Sequence, residues 1–225
     1  DTFYGKVMLY DIQSTTEVLQ QDFARLVDDI KWGQSISFNG NNRVVIGAEK
    51  TSTQKFQCGL VKCYTLTNGS WQAENNILGD ENNLNLGKSV SVSDDGSKLI
   101  ATGVSTLVRH YTRASVDPLS PTSGTHYVAQ GNININSIGN TIVAKLSGTG
   151  NYFIGMTDAN EVYFYSFLTN SVTQSMKPYD QGIDKINTYN PNQISISADG
   201  SRIMIGYSTS CELFFQSEVY ENGLF

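Results

Sequence analysis

The chain has 225 residues, a length that all-β proteins commonly fold as a single domain. Charged residues make up only 16% of it, so Ser, Thr, Gly and 20 Asn must supply much of the surface polarity, as in turn-rich β proteins that work outside the cytosol. The net charge of −6, with no run of Lys and Arg, argues against a nucleic-acid-binding protein, because that class needs a basic surface. No apolar stretch approaches the roughly 20 residues of a membrane span.

The first predicted strand, GKVMLY (5–10), returns four times along the chain. Apolar residues occupy both odd and even positions in the copies, which indicates a strand that is covered on both faces. We predict that the tyrosines closing the copies pack between sheets and do not serve as sugar-stacking platforms. The later copies are GLVKCY (59–64), TLVRHY (106–111), NEVYFY (160–165) and CELFFQ (211–216), and the tyrosines are Tyr10, Tyr64, Tyr111 and Tyr165.

Residues 14–30 have apolar side chains at helix-like spacing. The repeat argues against a helix, because Glu17 to Gly33 spans 16 residues and so does Trp71 to Gly87 in the next copy. That second copy is rich in Asn and Gly and is a poor helix former. We therefore predict a fourth, outer strand followed by a crossing loop, with one helical turn in 20–27 as the alternative.

A second strand motif recurs at nearly constant spacing. Its central residues lie 54, 52 and 52 residues apart, and a Gly, Asn or Asp turn and another apolar run follow each copy. A repeat made of several short strands cannot bury both of its faces alone, and a period near 50 is typical of propeller blades. The copies are SISF (35–38), SVSV (89–92), TIVA (141–144) and QISI (193–196), with central residues Ile36, Val90, Ile142 and Ile194.

The sequence therefore predicts an all-β fold, a β-propeller of about four four-stranded repeats of ~52 residues, either complete or part of a larger ring. The whole chain, 1–225, forms one domain. Its repeats are predicted at about 33–86, 87–138, 139–190 and 191–225, with 1–32 as the end of a preceding repeat. The predicted inner strands carry Ile36, Ser37, Val45, Val90, Leu99, Ile142, Phe153, Ile194 and Met204.

Two stretches depart from this pattern. Residues 113–137 show no fourth-strand match and are predicted to form an elaborated loop. The chain also begins and stops at third strands, so one third strand is left over. Either the chain is part of a larger ring, which we favour, or a terminal strand is displaced. As part of a ring, residues 1–225 expressed alone are expected to aggregate or oligomerise through exposed strand edges.

Two pairs of glycine-containing motifs in the repeats resemble those of a known family. Trp32-Gly33 with Gly47-Ala48, and more loosely Leu86-Gly87 with Thr102-Gly103, resemble FG-GAP repeats, the blades of integrin-α-like propellers. The resemblance implies a β-propeller and, in many members, calcium loops between the first two strands. The corresponding segments here, 93–96 and 197–200, are short and hold few carboxylates, so we expect hairpin turns without calcium. These turns also look like those of WD-type repeats.

The sequence holds few residues suited to catalysis. His110 and His126 are the acid–base candidates for neutral pH. His110 stands where other copies of its strand carry Leu, Phe or Cys, which favours a packed histidine, and His126 lies in the irregular 113–137 segment. There is no nucleophile elbow, zinc-protease motif or P-loop. We expect no catalytic, cofactor or metal site, and the adjacent acids at Asp28-Asp29, Asp80-Glu81 and Asp94-Asp95 are interpreted as solvated loops.

The three cysteines, Cys58, Cys63 and Cys211, fit no paired metal motif and are predicted to be free thiols. A disulfide between Cys58 and Cys211 is the alternative, and it requires their blades to come close. The sequon Asn68-Gly69-Ser70 allows glycosylation at Asn68 in a secreted protein.

These observations predict a non-enzymatic structural or recognition module of an extracellular surface, a cell surface or a virion. It would bind protein partners through its loops or exposed blade edges, with a glycan as a further ligand class, and would bind no nucleic acid. A carbohydrate-binding, lectin-like propeller is the first alternative, and a hydrolase whose site is split across blades is the second.

Overall fold

A computed structural model describes residues 5–13, 16–24, 31–114, 127–135, 139–159, 161–176, 191–207 and 211–215. Within these ranges the protein is all-β, and no helix there is long and apolar enough to cross a membrane. The strands are β1 (Val7–Gln13), β2 (Thr16–Phe23), β3 (Trp32–Phe38), β4 (Arg43–Ala48), β5 (Leu60–Thr67), β6 (Ser70–Leu78), β7 (Ser89–Val92), β8 (Lys98–Thr102), β9 (Leu107–Arg113), β10 (Tyr127–Asn134), β11 (Thr141–Leu146), β12 (Tyr152–Thr157), β13 (Val162–Ser166), β14 (Ser171–Met176), β15 (Pro191–Ile196), β16 (Arg202–Tyr207) and β17 (Cys211–Phe215).

The strands form five antiparallel sheets, and within each sheet they pair in chain order. Sheet I holds β1 and β2, sheet II β3–β6, sheet III β7–β10, sheet IV β11–β14, and sheet V β15–β17. The predicted repetition of first, second and third strands in constant order is confirmed. The first hairpin turns also fall where Asn39-Gly40, Asp95-Gly96 and Asp199-Gly200 predict them.

Two outer strands decide between the predictions for the irregular segments. Residues 16–23 form β2, paired with β1, so the strand is confirmed over the helix there; 25–30 lie outside the described residues. In sheet III, β10 occupies the fourth position, so the expectation that 113–137 lacks a fourth strand is wrong. The reason is that β10 is an outer strand in which Tyr127 alone is buried, and the other residues, mostly Asn, Gln and Gly, carry no apolar alternation.

Each pair of neighbouring sheets encloses its own apolar core. The second strands supply it in alternation, because successive side chains point to opposite faces. In β4, Val44 and Ile46 pack toward sheet I and Val45 toward sheet III. In β8, Leu99 packs toward sheet II and Ile100 toward sheet IV. The predicted burial of the third strands on both faces is confirmed in β5 and β13.

First strands of successive sheets contact one another: β3 contacts β7, β7 contacts β11, and β11 contacts β15. Serine hydroxyls join the first strands of sheets II, III and IV. The Ser37 hydroxyl accepts a hydrogen bond from the Val92 N–H (3.0 Å), and one repeat later the Ser91 hydroxyl accepts one from the Leu146 N–H (2.9 Å). Ser89 both donates to the Ala144 carbonyl and accepts from the Ala144 N–H, each at 3.2 Å. Sheet III is therefore tied to sheets II and IV by side chain–backbone hydrogen bonds between their first strands.

The hairpin turns correct the sequence alignment of the repeats. Ser93, Ser147 and Ser197 each accept a hydrogen bond from the N–H five residues later, so they are equivalent positions. Three residues before them lie Val90, Ala144 and Ile194, so Ala144, and not Ile142, is the counterpart of Val90. β11 has a bulge between Thr141 and Val143, and β15 has the equivalent bulge between Pro191 and Gln193.

All the predicted inner-strand residues lie on first or second strands. Two of them are nevertheless exposed on the faces of their sheets: Ile36 at 47% and Met204 at 45%. The predicted packing of the repeated tyrosines is confirmed for Tyr64, Tyr111 and Tyr165, which are all buried, whereas Tyr10 is 44% exposed.

We expect Ser91→Ala to lower the free energy of unfolding by about 1–3 kcal/mol, because the buried Leu146 N–H loses its acceptor. Ser195→Ala is the matched control, since Ser195 holds the same place in sheet V and is exposed, and its effect should stay within about 0.5 kcal/mol. Urea denaturation of both variants measures the difference. Equal effects of the two substitutions would show that the serine bond between sheets does not stabilise the fold.

Candidate functional site

The outer part of the interface between sheets II and III is filled by charged side chains. The Arg43 and Arg113 guanidinium groups lie 3.8 and 3.1 Å from Glu74 Oε1, and Thr65 donates to the same oxygen. The Glu74 side chain is 4% exposed and that of Arg43 is 7% exposed. Buried in this network, Cys63 has a thiol pKa that is raised, mainly by desolvation and then by Glu74.

A recurring bulge positions these residues. In sheets I to IV the fourth strand carries one extra residue relative to the third strand, next to the repeated tyrosine. Bulges re-aim side chains, and in sheet II the bulge lies at Glu74 and Asn75. The corresponding extra residue in sheet III is Gln130.

The same positions between sheets III and IV border an open cleft. Lys98 replaces Arg43, His110 replaces Cys63, Gln130 replaces Glu74, and Phe167 replaces Arg113. The cleft has a volume of about 820 Å³, within the ~300–1,000 Å³ of small-molecule sites. It is lined by Lys98, His110, Gln130, Gly131, Asn132, Ile133, Asn134, Tyr165, Phe167, Asn170, Ser171 and Val172.

Lys98 is held in place on one wall of the cleft. Its ammonium group donates to the Gly150 carbonyl of sheet IV at 2.9 Å and lies 4.9 Å from the centre of the Phe167 ring, a cation–π distance. An ammonium group has three donors, so this bond leaves two. Lys98 forms no ion pair with any other described residue.

His110 packs behind this lysine. Its ring centroid lies 4.6 Å from that of Phe167, and its Nε2 is buried with no hydrogen-bond partner among the described residues. Burial, and then the positive charge of Lys98, lower the pKa of His110 from 6.5 to about 4. The imidazole is therefore neutral at pH 7. His110 packs against Phe167, in line with the predicted packing, but it is half-buried, its Nε2 makes no hydrogen bond to a described residue, and it borders the cleft.

The other walls of the cleft carry amides and hydroxyls. Gln130, Asn132 and Asn170 are exposed there, and the Tyr165 hydroxyl donates to Asn170 Oδ1 at 2.7 Å. Asn170 has a φ of +53°, which turns the chain between β13 and β14. Such groups both donate and accept hydrogen bonds. None of the residues that line the cleft is acidic.

The remaining candidates from the sequence do not form a site. Asp80 and Glu81 are exposed in the loop between β6 and β7, as predicted, and they also lie 2.7 and 3.9 Å from the buried Arg109. Asp95 accepts hydrogen bonds from Ser93 and Ser97 in its turn, which lower its pKa against the opposing effect of burial. His126 and Asp28-Asp29 lie outside the described residues.

Cys58 and Cys63 are buried free thiols, as predicted, so Cys58 forms no disulfide with Cys211, whose side chain is not described. Across the described ranges no group of three or more His, Cys, Asp and Glu side chains is placed to hold a metal ion. Asn68 is exposed at the tip of the β5–β6 hairpin, and its glycosylation stays a prediction.

The repeat contains the signal that sequence reasoning missed. The cleft arises where an arginine–glutamate pair in one copy becomes lysine and glutamine in the next, and such a comparison needs the bulge register that only the structure supplies. No protein-family model matches the chain, and no curated protein matches it either.

We expect the NMR signal of His110 to titrate near pH 4, well below the ordinary 6.5. Because the folded pKa is depressed, the unfolded chain takes up a proton between these values before the folded chain does. Stability therefore falls as the pH drops through this window, and His110→Phe should remove that component. Phe is the residue at the equivalent position of sheet IV, Phe164, and the substitution also assigns the signal against His126. A pKa near 6.5 would contradict the burial and charge described above.

Proposed function

We propose that this chain is a non-enzymatic recognition module built as an FG-GAP-type β-propeller and displayed on an extracellular surface or a virus-like particle. The stacking of sheets II to V, first strand against first strand, supports the architecture, because propeller blades meet along their inner strands. The location is proposed from the turn-rich, Asn-rich composition with few charges.

The glycines of the FG-GAP-like motifs support the family assignment. Gly33 and Gly87 have φ values of +82° and +92°, a backbone region that favours glycine. A Cβ on Gly47 would lie 2.1 Å from the Gly87 carbonyl oxygen of the next sheet, so these two motif glycines meet at the interface. Their roles are those of tight corners between stacked blades.

The single observation that carries the recognition function is the cleft between sheets III and IV. It lies where the preceding interface is closed by Arg43, Glu74 and Arg113, and it exposes amides and hydroxyls on rigid strands. This lining favours carbohydrate binding among the recognition functions, because hydroxyl-rich ligands need groups that both donate and accept. The buried Nε2 of His110 forms no hydrogen bond with a nucleophile among the described residues.

Distances between spin labels test the propeller. Leu19, Ala73, Ala129 and Val172 are equivalent on the fourth strands, because each pairs with the repeated tyrosine of its sheet. Labels at 19 and each of the others, in a Cys211→Ser background, should give distances that follow the chords of a circle. The distance from label 19 to label 172 is then much less than three times the distance from label 19 to label 73. A straight stack would instead give distances in proportion to the number of sheets crossed.

A glycan array combined with a turnover assay tests the recognition function. We expect selective, saturable binding without hydrolysis, and Asn132→Trp should abolish it by filling the cleft. Gln72→Trp is the matched control, an equally exposed position on the fourth strand of sheet II that is remote from the cleft lining. Absence of saturable binding would contradict the proposal. Hydrolysis that disappears in His110→Phe or His126→Ala would replace it with the enzymatic alternative.

A further inference from the structure

The cleft carries the positive charge of Lys98, and none of the residues that line it is acidic. The Asp95 carboxylate, whose pKa the Lys98 charge helps to lower, is itself hydrogen-bonded in the turn between β7 and β8. Arg43 and Arg113 share Glu74, and Arg109 lies beside Asp80 and Glu81, so the buried and half-buried arginines of sheets II and III have carboxylate partners. Lys98 is half-buried, and its ammonium is satisfied only by a carbonyl and an aromatic ring among the described residues. A partly desolvated cation of this kind favours an anion from outside the chain.

The remainder of the lining suits a hydroxylated ligand. Gln130, Asn132 and Asn170 present amides, and Ser171 presents a hydroxyl, around the same space as Lys98. Their geometry is fixed by strands: Gln130 is the bulged residue of β10, and Asn170 is held by the Tyr165 hydroxyl. Fixed polar groups bind with little loss of conformational freedom.

We propose that the cleft between sheets III and IV binds an acidic saccharide, with the anionic group at the Lys98 ammonium and the ring hydroxyls at the amides of Gln130, Asn132 and Asn170. This inference rests on the proposed recognition function and specifies its ligand. The ligand class is an oligosaccharide that carries a carboxylate, such as one capped by a sialic or uronic acid.

His110 provides a reporter inside the site. The titratable groups among the residues lining the cleft are Lys98, His110 and Tyr165. Since the Lys98 charge helps to hold the imidazole neutral, an anion placed at Lys98 offsets that effect and favours the imidazolium. Binding of the acid should therefore raise the pKa of His110 and should strengthen as the pH falls from 7 toward 5.

Calorimetry with sialyllactose and with its methyl ester tests the inference, because the two ligands differ only in charge. We expect the acid to bind at least about 10-fold more tightly, as one charge-assisted hydrogen bond supplies. Lys98→Met keeps the aliphatic stem against Gly150 and should abolish the preference. Gln130→Glu changes an exposed residue and places a carboxylate where sheet II has Glu74, and it too should abolish the preference. Circular dichroism confirms that both variants fold.

The outcomes separate this inference from the proposed function. Equal binding of acid and ester, unaffected by Lys98→Met, would overturn the acidic ligand and leave a neutral-glycan cleft. Binding of the acid that Asn132→Trp does not weaken would overturn the cleft as its location. A uronic-acid disaccharide and its methyl ester serve as the second pair. If neither acid nor ester of either pair binds, and the glycan array is also silent, the recognition function itself fails.

Discussion

The fold depends on sheets that are apolar on both faces and therefore cannot exist singly. Val45 faces one neighbour while Val44 and Ile46 face the other, so sheet II has a core on each side. Burial of apolar area stabilises the stack by about 25 cal/mol per Å² but does not fix how the sheets are aligned. The serine bonds supply that alignment, because Ser37 and Ser91 each satisfy one particular backbone N–H of the next first strand. A slip of one residue would leave those buried donors without acceptors.

The equivalent space is used in two ways by successive interfaces. Between sheets II and III, Glu74 compensates Arg43 and Arg113, and their side chains fill the space. Desolvating such charges is costly, and only the close pairing and the hydrogen bond from Thr65 offset that cost. Between sheets III and IV the acid is replaced by Gln130, the second arginine by Phe167, and the cleft remains open. The four replacements at equivalent positions of one repeat thus convert a packed interface into an open cleft.

The strand order was predictable from the sequence because the inner strands carry it in their own residues. Runs such as RVVIGA (43–48) are apolar after their first residue and buried at every position, and Ser93 and Asp95 encode their turn locally. The outer strand β10 was missed because one of its faces meets solvent and its residues follow no apolar period. The alignment of β11 was also misjudged because it assumed a nearly constant repeat length, whereas Val90 and Ala144 are 54 residues apart and Ala144 and Ile194 are 50 apart.

The cleft was not predictable from single residues. It is recognised only when equivalent positions of the interface between sheets II and III and the interface between sheets III and IV are compared. His110 alone indicates a packed histidine, and Lys98 alone indicates a surface lysine. The sequence repeat already aligns Lys98 with Arg43 and His110 with Cys63, but only the register of β9 and β10 shows that Gln130 occupies the position of Glu74. The sequence lacked that register at the fourth strand, where the alignment had no match.

The inner half of the interface between sheets III and IV explains how an open cleft is compatible with a stable fold. The ring centroid of Phe153 lies 4.9 Å from that of Tyr165 and 5.7 Å from that of Phe167. Phe153 is fully buried and belongs to the same apolar cluster as Ile100 and Tyr163. This aromatic layer packs the interface between sheets III and IV, as the ion pairs of Glu74 fill the interface between sheets II and III. The cleft above the layer can therefore stay open. Lys98 and Gln130 project from strands next to that layer, and Asn170 is fixed in the turn between β13 and β14 by the Tyr165 hydroxyl. Such placement favours selective binding.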